Sequence, residues 1–176
     1  MKRLKPLLIP TLSLFLIGVV VTTALSVTNF FTKDRIAAQE EQAIADSMIQ
    51  LFPDAVFDCV GGETDSDLLH YIATADGKPV GHIIRTAAMG YKSKVEVLVS
   101  FDLQQSVSGV VVTNCADESP GIGQKVGTDQ SFLNQYKGYQ QGDTVDAITG
   151  ATYSSDAVTE AVNQAIAYMQ QGGGDQ

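Results

Sequence analysis

An uncharged apolar run near the start of the chain restricts its fold more than any other feature. From Leu7 to Val27 no residue carries a charge, and these 21 residues are about the length that an α-helix needs to cross the hydrocarbon core of a bilayer. A cleaved signal peptide is the alternative, since Ala24-Leu25-Ser26 fits the small-x-small pattern of a cleavage site. Signal peptides usually have a shorter apolar region, of about 7–15 residues. The sequence therefore favours an uncleaved transmembrane helix over 7–27.

The distribution of charge predicts how this helix is oriented. Three basic residues precede the run: Lys2, Arg3 and Lys5. Short basic ends tend to remain in the cytoplasm, so residues 1–6 are expected there and the rest of the chain outside it. The formal net charge is −9, and the exported part is more acidic still because the basic end is excluded from it. The chain is thus expected to be a single-pass protein of the cell membrane, with the lipid bilayer as a partner and no affinity for nucleic acid.

After the apolar run, the pattern is that of one globular domain on a helical stem. Apolar residues at helical intervals predict a helix from Phe31 to Leu51, and 28–53 is expected to form a stalk. Residues 54–170 are expected to form the domain and 171–176 a flexible, glycine-rich tail. Five stretches rich in β-branched or aromatic residues are predicted strands: 55–60, 68–75, 80–87, 95–101 and 107–114.

Turn and helix signals complete the fold prediction. Asp76-Gly77 predicts a tight hairpin between the second and third strands. A short helix is expected at Ser131–Tyr136, and Ser154 or Ser155 is expected to cap a final helix with an apolar stripe from Ala157 to Met169. This order of elements predicts an α+β domain with helices packed on a β-sheet.

The motif that is most informative about function lies where the final helix starts. Asp146-Ala-Ile-Thr-Gly-Ala-Thr152 leads directly into Tyr153-Ser-Ser-Asp156. Gly150 and Ala151 leave little side-chain bulk beside Thr152, so a large group can approach the backbone. The first N–H groups of a helix and the positive end of its dipole favour a phosphate. The motif therefore predicts an anion site beside a threonine hydroxyl, and the alternative is a loop that only caps a helix.

The same residues carry a family resemblance. Asp146-x-x-Thr149-Gly150-Ala151-Thr152 resembles the flavinylation motif Asp-x-x-(Ser/Thr)-Gly-Ala-Thr of FMN-binding domains in the Rnf and Na+-translocating NADH:quinone reductase complexes. In that family the last threonine is esterified to FMN through the phosphate. The resemblance implies a covalent FMN phosphoester on Thr152 and a separate flavin transferase, because an unassisted threonine hydroxyl is a weak nucleophile. It also implies that the neighbouring residues take part in recognition or binding: Asp146, Thr149, Gly150, Ala151, Tyr153, Ser154 and Ser155.

A second segment adds to the resemblance. The run Glu118-Ser119-Pro120-Gly121-Ile122-Gly123 is similar to the Glu-Thr-Pro-Gly-Leu-Gly segment of the family, which implies that its first four residues, Glu118, Ser119, Pro120 and Gly121, bind the cofactor. Proline and glycine fix an irregular backbone that can lie close to a flat ring system. Gly90-Tyr91 before a strand is similar to a weaker family feature. Ala116 stands where many relatives have a histidine, which removes any role for that histidine here.

Other kinds of site have little support in the sequence. There is no GxGxxG after a strand, no Walker-type lysine loop and no iron–sulfur spacing of cysteines, so neither a nucleotide site of those classes nor a metal site is predicted. His70 and His82 lie in strand-like stretches and are expected to be half-buried or surface residues without a role in a site. Cys59 and Cys115 leave three options open: a disulfide, free structural thiols, or ligation of a metal or cluster across subunits.

The resemblance also implies a function. It indicates the G-type component of an Rnf-type ferredoxin:NAD+ oxidoreductase, a membrane complex that couples electron transfer to Na+ or H+ translocation. Covalent FMN would make the chain an electron carrier that is not catalytic alone, with other membrane and peripheral subunits as partners. Three alternatives stay open: the C-type component of a Na+-translocating NADH:quinone reductase, a stand-alone extracellular FMN-binding redox protein, and an anchored binding domain without redox chemistry.

Overall fold

The computed structural model describes residues 5–62 and 68–173, and the chain divides into two units, Met1–Ala43 and Ile44–Gln176. The long helix α1 extends over Lys5–Leu51 and contains the predicted helix from Phe31 to Leu51. Residues 1–4 of the predicted cytoplasmic end and 174–176 of the predicted tail lie outside the described residues.

The described part of the first unit is helical and contains an apolar stretch. Within the described residues, one helical segment, Pro10–Leu51, is long and apolar enough to cross a membrane, and its most apolar 18-residue window has a mean hydropathy of 2.0 with none of it buried. Large apolar side chains such as Leu14 and Phe15 are about two-thirds exposed, at 71% and 67%. Such exposure is unfavourable in water and favourable in lipid. A membrane anchor and a signal sequence share these properties.

The second unit is built on one antiparallel sheet. Its five strands are β1 Val56–Gly62, β2 Leu69–Ala75, β3 Lys78–Met89, β4 Lys94–Phe101 and β5 Val107–Asn114, in the spatial order β1-β2-β3-β4-β5. All five predicted strands are confirmed, with ends that shift by at most two residues. Asp76 (φ 52°) and Gly77 (φ 73°) are both left-handed, as a two-residue hairpin requires, so the predicted turn between β2 and β3 is also confirmed.

In the described part of the chain, a 3₁₀ turn at Gly123–Gly127 and then two α-helices follow the sheet. The short helix α2, Gln130–Leu133, continues into a 3₁₀ turn at Asn134–Tyr136, which confirms the predicted helix there. The Asp129 carboxylate caps α2 by accepting the N–H groups of Ser131 and Phe132. The helix α3 extends over Thr152–Tyr168, and a π-type turn follows at Met169–Gly173, in which Gly172 has a non-helical φ of +98°.

Helix α3 packs across β3 and β4, and this layer holds the main core. The predicted apolar stripe is confirmed, because all of its members are buried: Ala157, Val158, Ala161, Val162, Ala165, Ile166 and Met169. In the core the Thr86 hydroxyl donates to the Ala161 carbonyl at 3.0 Å and ties β3 to α3. Met48 packs with Ile83 and Leu98 in a smaller second cluster. The predicted α+β fold, with helices on a sheet, is confirmed.

Candidate functional site

A cleft of about 300 Å³ lies beside the N-terminal end of α3, where three loops meet. Its lining comes from the β3–β4 turn, the loop after β5 and the start of α3, and consists of Tyr91, Ser119, Gly123, Gly150, Ala151, Tyr153 and Ser154. The volume is at the lower end of the range for small-molecule sites in proteins. The two segments that carry the family resemblance are thus brought together, although 22 residues, 124–145, separate them in sequence.

Thr152 is the first residue of α3 and is exposed, between the lining residues Ala151 and Tyr153. Ala151 precedes the helix, is buried, and provides no side-chain cap. The first N–H groups of an α-helix have no partner within the helix, and here no side chain of the N-cap residue accepts a hydrogen bond from them. The Thr152 hydroxyl and an uncapped helix start therefore lie together, which is an arrangement that can bind a phosphate.

The turn that leads into α3 has a specific backbone shape. Gly150 has φ +81°, in the left-handed region that glycine adopts most readily, and the Ala151 N–H donates to the Ile148 carbonyl at 2.8 Å. The buried Ser155 hydroxyl accepts the Ile148 N–H at 3.1 Å and so fixes the turn from within the domain.

The prediction that Ser154 or Ser155 caps α3 is wrong. Both residues lie inside the first turn of the helix, which begins earlier, at Thr152. Their side chains face the interior and bind other loops: the Ser155 hydroxyl accepts the Ile148 N–H, and the Ser154 hydroxyl donates to Glu118. These two serines therefore bind loop residues instead of capping the start of the helix.

Glu118 is buried behind the cleft, with 1% of its surface exposed. Its Oε1 atom accepts the Lys92 N–H at 3.0 Å and the Ser93 N–H at 3.4 Å, and its Oε2 atom accepts the Tyr91 N–H at 3.1 Å and the Ser154 hydroxyl. Burial by itself raises the pKa of this carboxyl, but the hydrogen bonds together outweigh burial and the net pKa lies below the ordinary value. Glu118 is thus an ionised carboxylate at neutral pH.

Two glycines leave room for this carboxylate. A Cβ atom on Gly90 would lie 2.7 Å from Glu118 Oε1, and one on Gly123 would lie 2.9 Å from Ser154 Oγ. Real Cβ contacts are not that short, so a side chain at either position would displace Glu118 or Ser154. These contacts give a packing reason for glycine in the Gly90-Tyr91 pair and at the end of the segment Glu118–Gly123.

Exposed apolar side chains surround the cleft. The Tyr91 and Tyr153 rings have centroids 6.2 Å apart, and 59% and 70% of their surfaces are exposed. Ile122, which is 47% exposed, lies 3.6 Å from the position of a Cβ on Gly150. Exposed aromatic surface next to a polar cleft is suited to contact with a flat aromatic ligand.

The residues predicted for the site fall into three groups. Five line the cleft, and Thr152 lies among them: Ser119, Gly150, Ala151, Tyr153 and Ser154. Glu118 and Ser155 are buried and act on the loops around it. Four are exposed outside the lining: Asp146, Thr149, Pro120 and Gly121. Tyr91 and Gly123 line the cleft without having been predicted to bind the cofactor, and the Gly90-Tyr91 pair and the end of the Pro-Gly loop were the signals that pointed to them.

Asp146 is held by its backbone and presents its side chain to solvent. Its N–H donates to Gln135 Oε1 at 2.8 Å, and its carbonyl accepts Gln135 Nε2 at 3.2 Å. The residue itself is exposed. A second protein can therefore reach this carboxylate, while Gln135 fixes the backbone that carries it.

The two histidines lie elsewhere and correct the expectation that they are half-buried or on the surface. His70 and His82 are 1% and 9% exposed, and His70 Nε2 lies 3.0 Å from His82 Nδ1. Burial, and then the neighbouring His82, lowers the pKa of His70 to about 4, and burial lowers the pKa of His82. Both are thus neutral near pH 7.

Both cysteines are free thiols. Cys59 is exposed on β1, and Cys115 is half-buried, with its Sγ atom 3.7 Å from the Gln124 carbonyl. The disulfide that the sequence left open is not formed in this structure.

Comparison with known proteins identifies related sequences over almost the whole chain. The family model of the FMN-binding domain matches residues 90–167, which contain the cleft, and that of the RnfG N-terminal region matches residues 1–51. The G component of the ion-translocating oxidoreductase complex of Shewanella baltica is 30% identical over 89% of this chain and 86% of its own length. The G component of the Na(+)-translocating ferredoxin:NAD(+) oxidoreductase complex of Acetobacterium woodii is 30% identical over 90% and 89%. Among solved structures, Shewanella oneidensis NqrC shares 25% identity, with a TM-score of 0.47 over 56% of this chain and 55% of that one.

Proposed function

The chain belongs to the RnfG family, the G components of ion-translocating oxidoreductase complexes, and from this premise we propose that it carries electrons within such a complex through an FMN esterified to Thr152. One observation carries the proposal. Among the serine and threonine hydroxyls in the described first turn of α3, that of Thr152 alone is exposed beside the cleft, since Ser154 and Ser155 are buried. This hydroxyl also lies within the matched FMN-binding domain.

The residues around Thr152 fit the two chemical parts of FMN. The uncapped helix start supplies backbone N–H groups for a phosphate, and Gly150 and Ala151 leave the approach to it open. The exposed rings of Tyr91 and Tyr153 supply apolar surface for a flat ring system. The cleft therefore offers polar contacts at the threonine and aromatic contacts beside it.

Each part of the chain has a distinct task in this proposal. Bound FMN supplies transfer of one or two electrons. The Thr152 oxygen fixes the position of the cofactor, and the two tyrosines limit the access of water to one side of the cleft. The exposed Asp146 carboxylate, with Thr149 and Gly150, is the surface that a flavin transferase recognises before it attaches the cofactor.

Helix α1 holds the domain at the membrane. We assign Pro10–Leu51 as the segment that contains the membrane anchor, with the basic end in the cytoplasm and the FMN domain outside it. Covalent attachment is useful in that location, because a cofactor lost outside the cytoplasm cannot be replaced from the cytoplasmic pool. Other subunits of the complex, and the lipid bilayer, are the partners.

In-gel flavin fluorescence tests the attachment. The full chain is co-expressed with a flavin transferase, denatured and separated, and the wild-type band is expected to fluoresce. Thr152→Val keeps the shape and removes the hydroxyl, so fluorescence is expected to be lost, whereas Thr152→Ser keeps a nucleophile and is expected to retain some. Thr144→Val, at an exposed threonine outside the motif, is the matched control and is expected to fluoresce as the wild type does. Wild-type fluorescence in Thr152→Val would refute the proposal.

A further inference from the structure

The contacts of Glu118 point to a role different from the one that the sequence resemblance implies. Its segment predicts a residue that binds the cofactor, yet the carboxylate is 1% exposed and does not line the cleft. Both of its oxygens are already occupied by protein donors, two on each. A carboxylate with four donors from the protein has little capacity left for a ligand.

We propose that Glu118 is the positioning residue of the cleft: its buried carboxylate binds the β3–β4 turn and the first turn of α3 at the same time, and so holds Tyr91 and Ser154 in place on either side of the cleft. The inference concerns the same cleft as the proposed function and rests on it where FMN is concerned.

The first link is to the β3–β4 turn. Three consecutive N–H groups, those of Tyr91, Lys92 and Ser93, all point to the one carboxylate. The turn also has its own bond, from the Gly90 N–H to the Ser93 carbonyl at 2.8 Å. Consecutive N–H groups that converge in this way form a concave anion-binding site, and here a side chain of the same protein occupies it. The backbone position of Tyr91 therefore depends on Glu118.

The second link is to α3. The Ser154 hydroxyl donates to Glu118 Oε2, the oxygen that also accepts the Tyr91 N–H. A single atom thus connects the turn that carries one lining tyrosine to the helical turn that carries the other, Tyr153. Hydrogen bonds to a buried charged group are stronger than neutral ones, so both links are strong.

The local packing requires glycine on both sides of the Glu118 side chain. A Cβ on Gly90 would lie 2.7 Å from Glu118 Oε1, and a Cβ on Gly123 would lie 3.1 Å from Glu118 Cβ. The β3–β4 turn and the loop after β5 therefore approach the carboxylate as closely as backbone allows. This closeness leaves no room for a ligand atom between Glu118 and the turn.

Two variants and one control test the inference. Glu118→Gln keeps the shape but replaces one acceptor oxygen with an NH₂ donor, so at least one N–H or hydroxyl loses its partner. Ser154→Ala removes only the link to α3. Asp117→Asn makes the same change of charge at the adjacent, exposed residue and is the control.

The first measurement is hydrogen exchange of the full-length protein in detergent, before flavin is attached. Glu118→Gln is expected to speed exchange of the Tyr91, Lys92 and Ser93 amides about tenfold or more, as loss of charge-assisted hydrogen bonds predicts. Ser154→Ala is expected to give a smaller rise, and Asp117→Asn none. Amides of the central strand β3 serve as an internal reference for global folding. Unchanged exchange at all three amides in both variants would overturn the inference, whether or not flavin attaches.

The second measurement is visible circular dichroism of the protein after co-expression with a transferase, because this signal reports how a bound flavin is held and not whether the fold is intact. Glu118→Gln and Ser154→Ala are expected to weaken the flavin signal per attached flavin, and Asp117→Asn to leave it unchanged. A wild-type signal in both variants would show that Glu118 does not position the cleft for its cofactor. Absence of flavin from the wild type would instead contradict the proposed function, and the exchange data would still decide on Glu118.

Discussion

Tyr91 and Tyr153 lie with their ring centroids 6.2 Å apart and their planes inclined by 39°, although they come from the β3–β4 turn and from the first turn of α3. Both rings line the cleft, and both are more than half exposed. The separation is within the range of favourable aromatic contacts, but each ring retains a large free surface. That surface is available to a flat ligand.

Loss of either ring is expected to weaken the non-covalent part of flavin binding. In a Thr152→Val background, where no ester forms, Tyr91→Leu or Tyr153→Leu is expected to raise the Kd for free FMN about two- to tenfold, the worth of one aromatic contact. Tyr91→Phe and Tyr153→Phe keep the ring and serve as controls with little change. Fluorescence titration with FMN measures the Kd. Equal Kd values for the Leu and Phe variants would show that the rings do not contact the flavin.

Gly150 is expected to be required for the shape of the turn before Thr152. Its φ of +81° is unfavourable for alanine, so Gly150→Ala is expected to lower the free energy of unfolding by about 1–2 kcal/mol and to reduce flavin attachment. Gly138→Ala is the matched control, because Gly138 has φ +71° and a Cβ there would contact nothing within 4 Å. Denaturant unfolding is expected to give similar losses for both variants, with reduced in-gel flavin fluorescence for Gly150→Ala alone. Equal flavin attachment in the two variants would argue against a specific role of this turn.

The sequence predicts the parts of the fold that depend on local pattern. The strands and the α3 stripe follow from periodicity, and the β2–β3 hairpin follows from Asp76-Gly77, because each signal lies within a few residues. The direction of the Glu118 side chain depends on N–H groups 25 to 27 positions away, so no local pattern reveals it. The histidines are similar: strand alternation does not show that His70 and His82 are both buried, or that their ring nitrogens meet.

The buried histidine pair is expected to make stability depend on pH. The pKa of His70 is lowered to about 4, whereas an unfolded histidine titrates near 6.5. Between these values the unfolded chain binds the additional proton. The contribution of His70 to the free energy of unfolding is therefore fully present above about pH 6.5, and about 3 kcal/mol of it is lost as the pH is lowered toward 4.

The pH dependence of unfolding in denaturant, followed from pH 7 to 4, measures this contribution. His70→Leu is expected to have a shallower dependence than the wild type, because it no longer takes up this proton on unfolding. Tyr168→Phe changes the ring that contacts His70 without adding or removing a group that titrates in this range, and is expected to keep the wild-type slope. Identical slopes for His70→Leu and the wild type would contradict the assignment of a depressed pKa to His70.

The exposed thiol of Cys59 provides a test of orientation. If the domain lies outside the cytoplasm, a membrane-impermeant maleimide is expected to label Cys59 in right-side-out vesicles after mild reduction, and not in inside-out vesicles. Cys59→Ser removes this thiol and measures the background from the half-buried Cys115. Labelling of Cys59 in inside-out vesicles alone would reverse the proposed topology.

The central claim is that FMN is bonded to Thr152, and tandem mass spectrometry of the native protein tests it most directly. The protein is purified from its own host and digested with trypsin, which releases the segment after Lys137 that contains the whole motif. We expect this peptide to carry the mass of FMN less one water, with fragment ions that place the addition on Thr152 and not on Thr149, Ser154 or Ser155. An unmodified peptide from protein assembled in its complex, or a flavin on another residue, would contradict the claim.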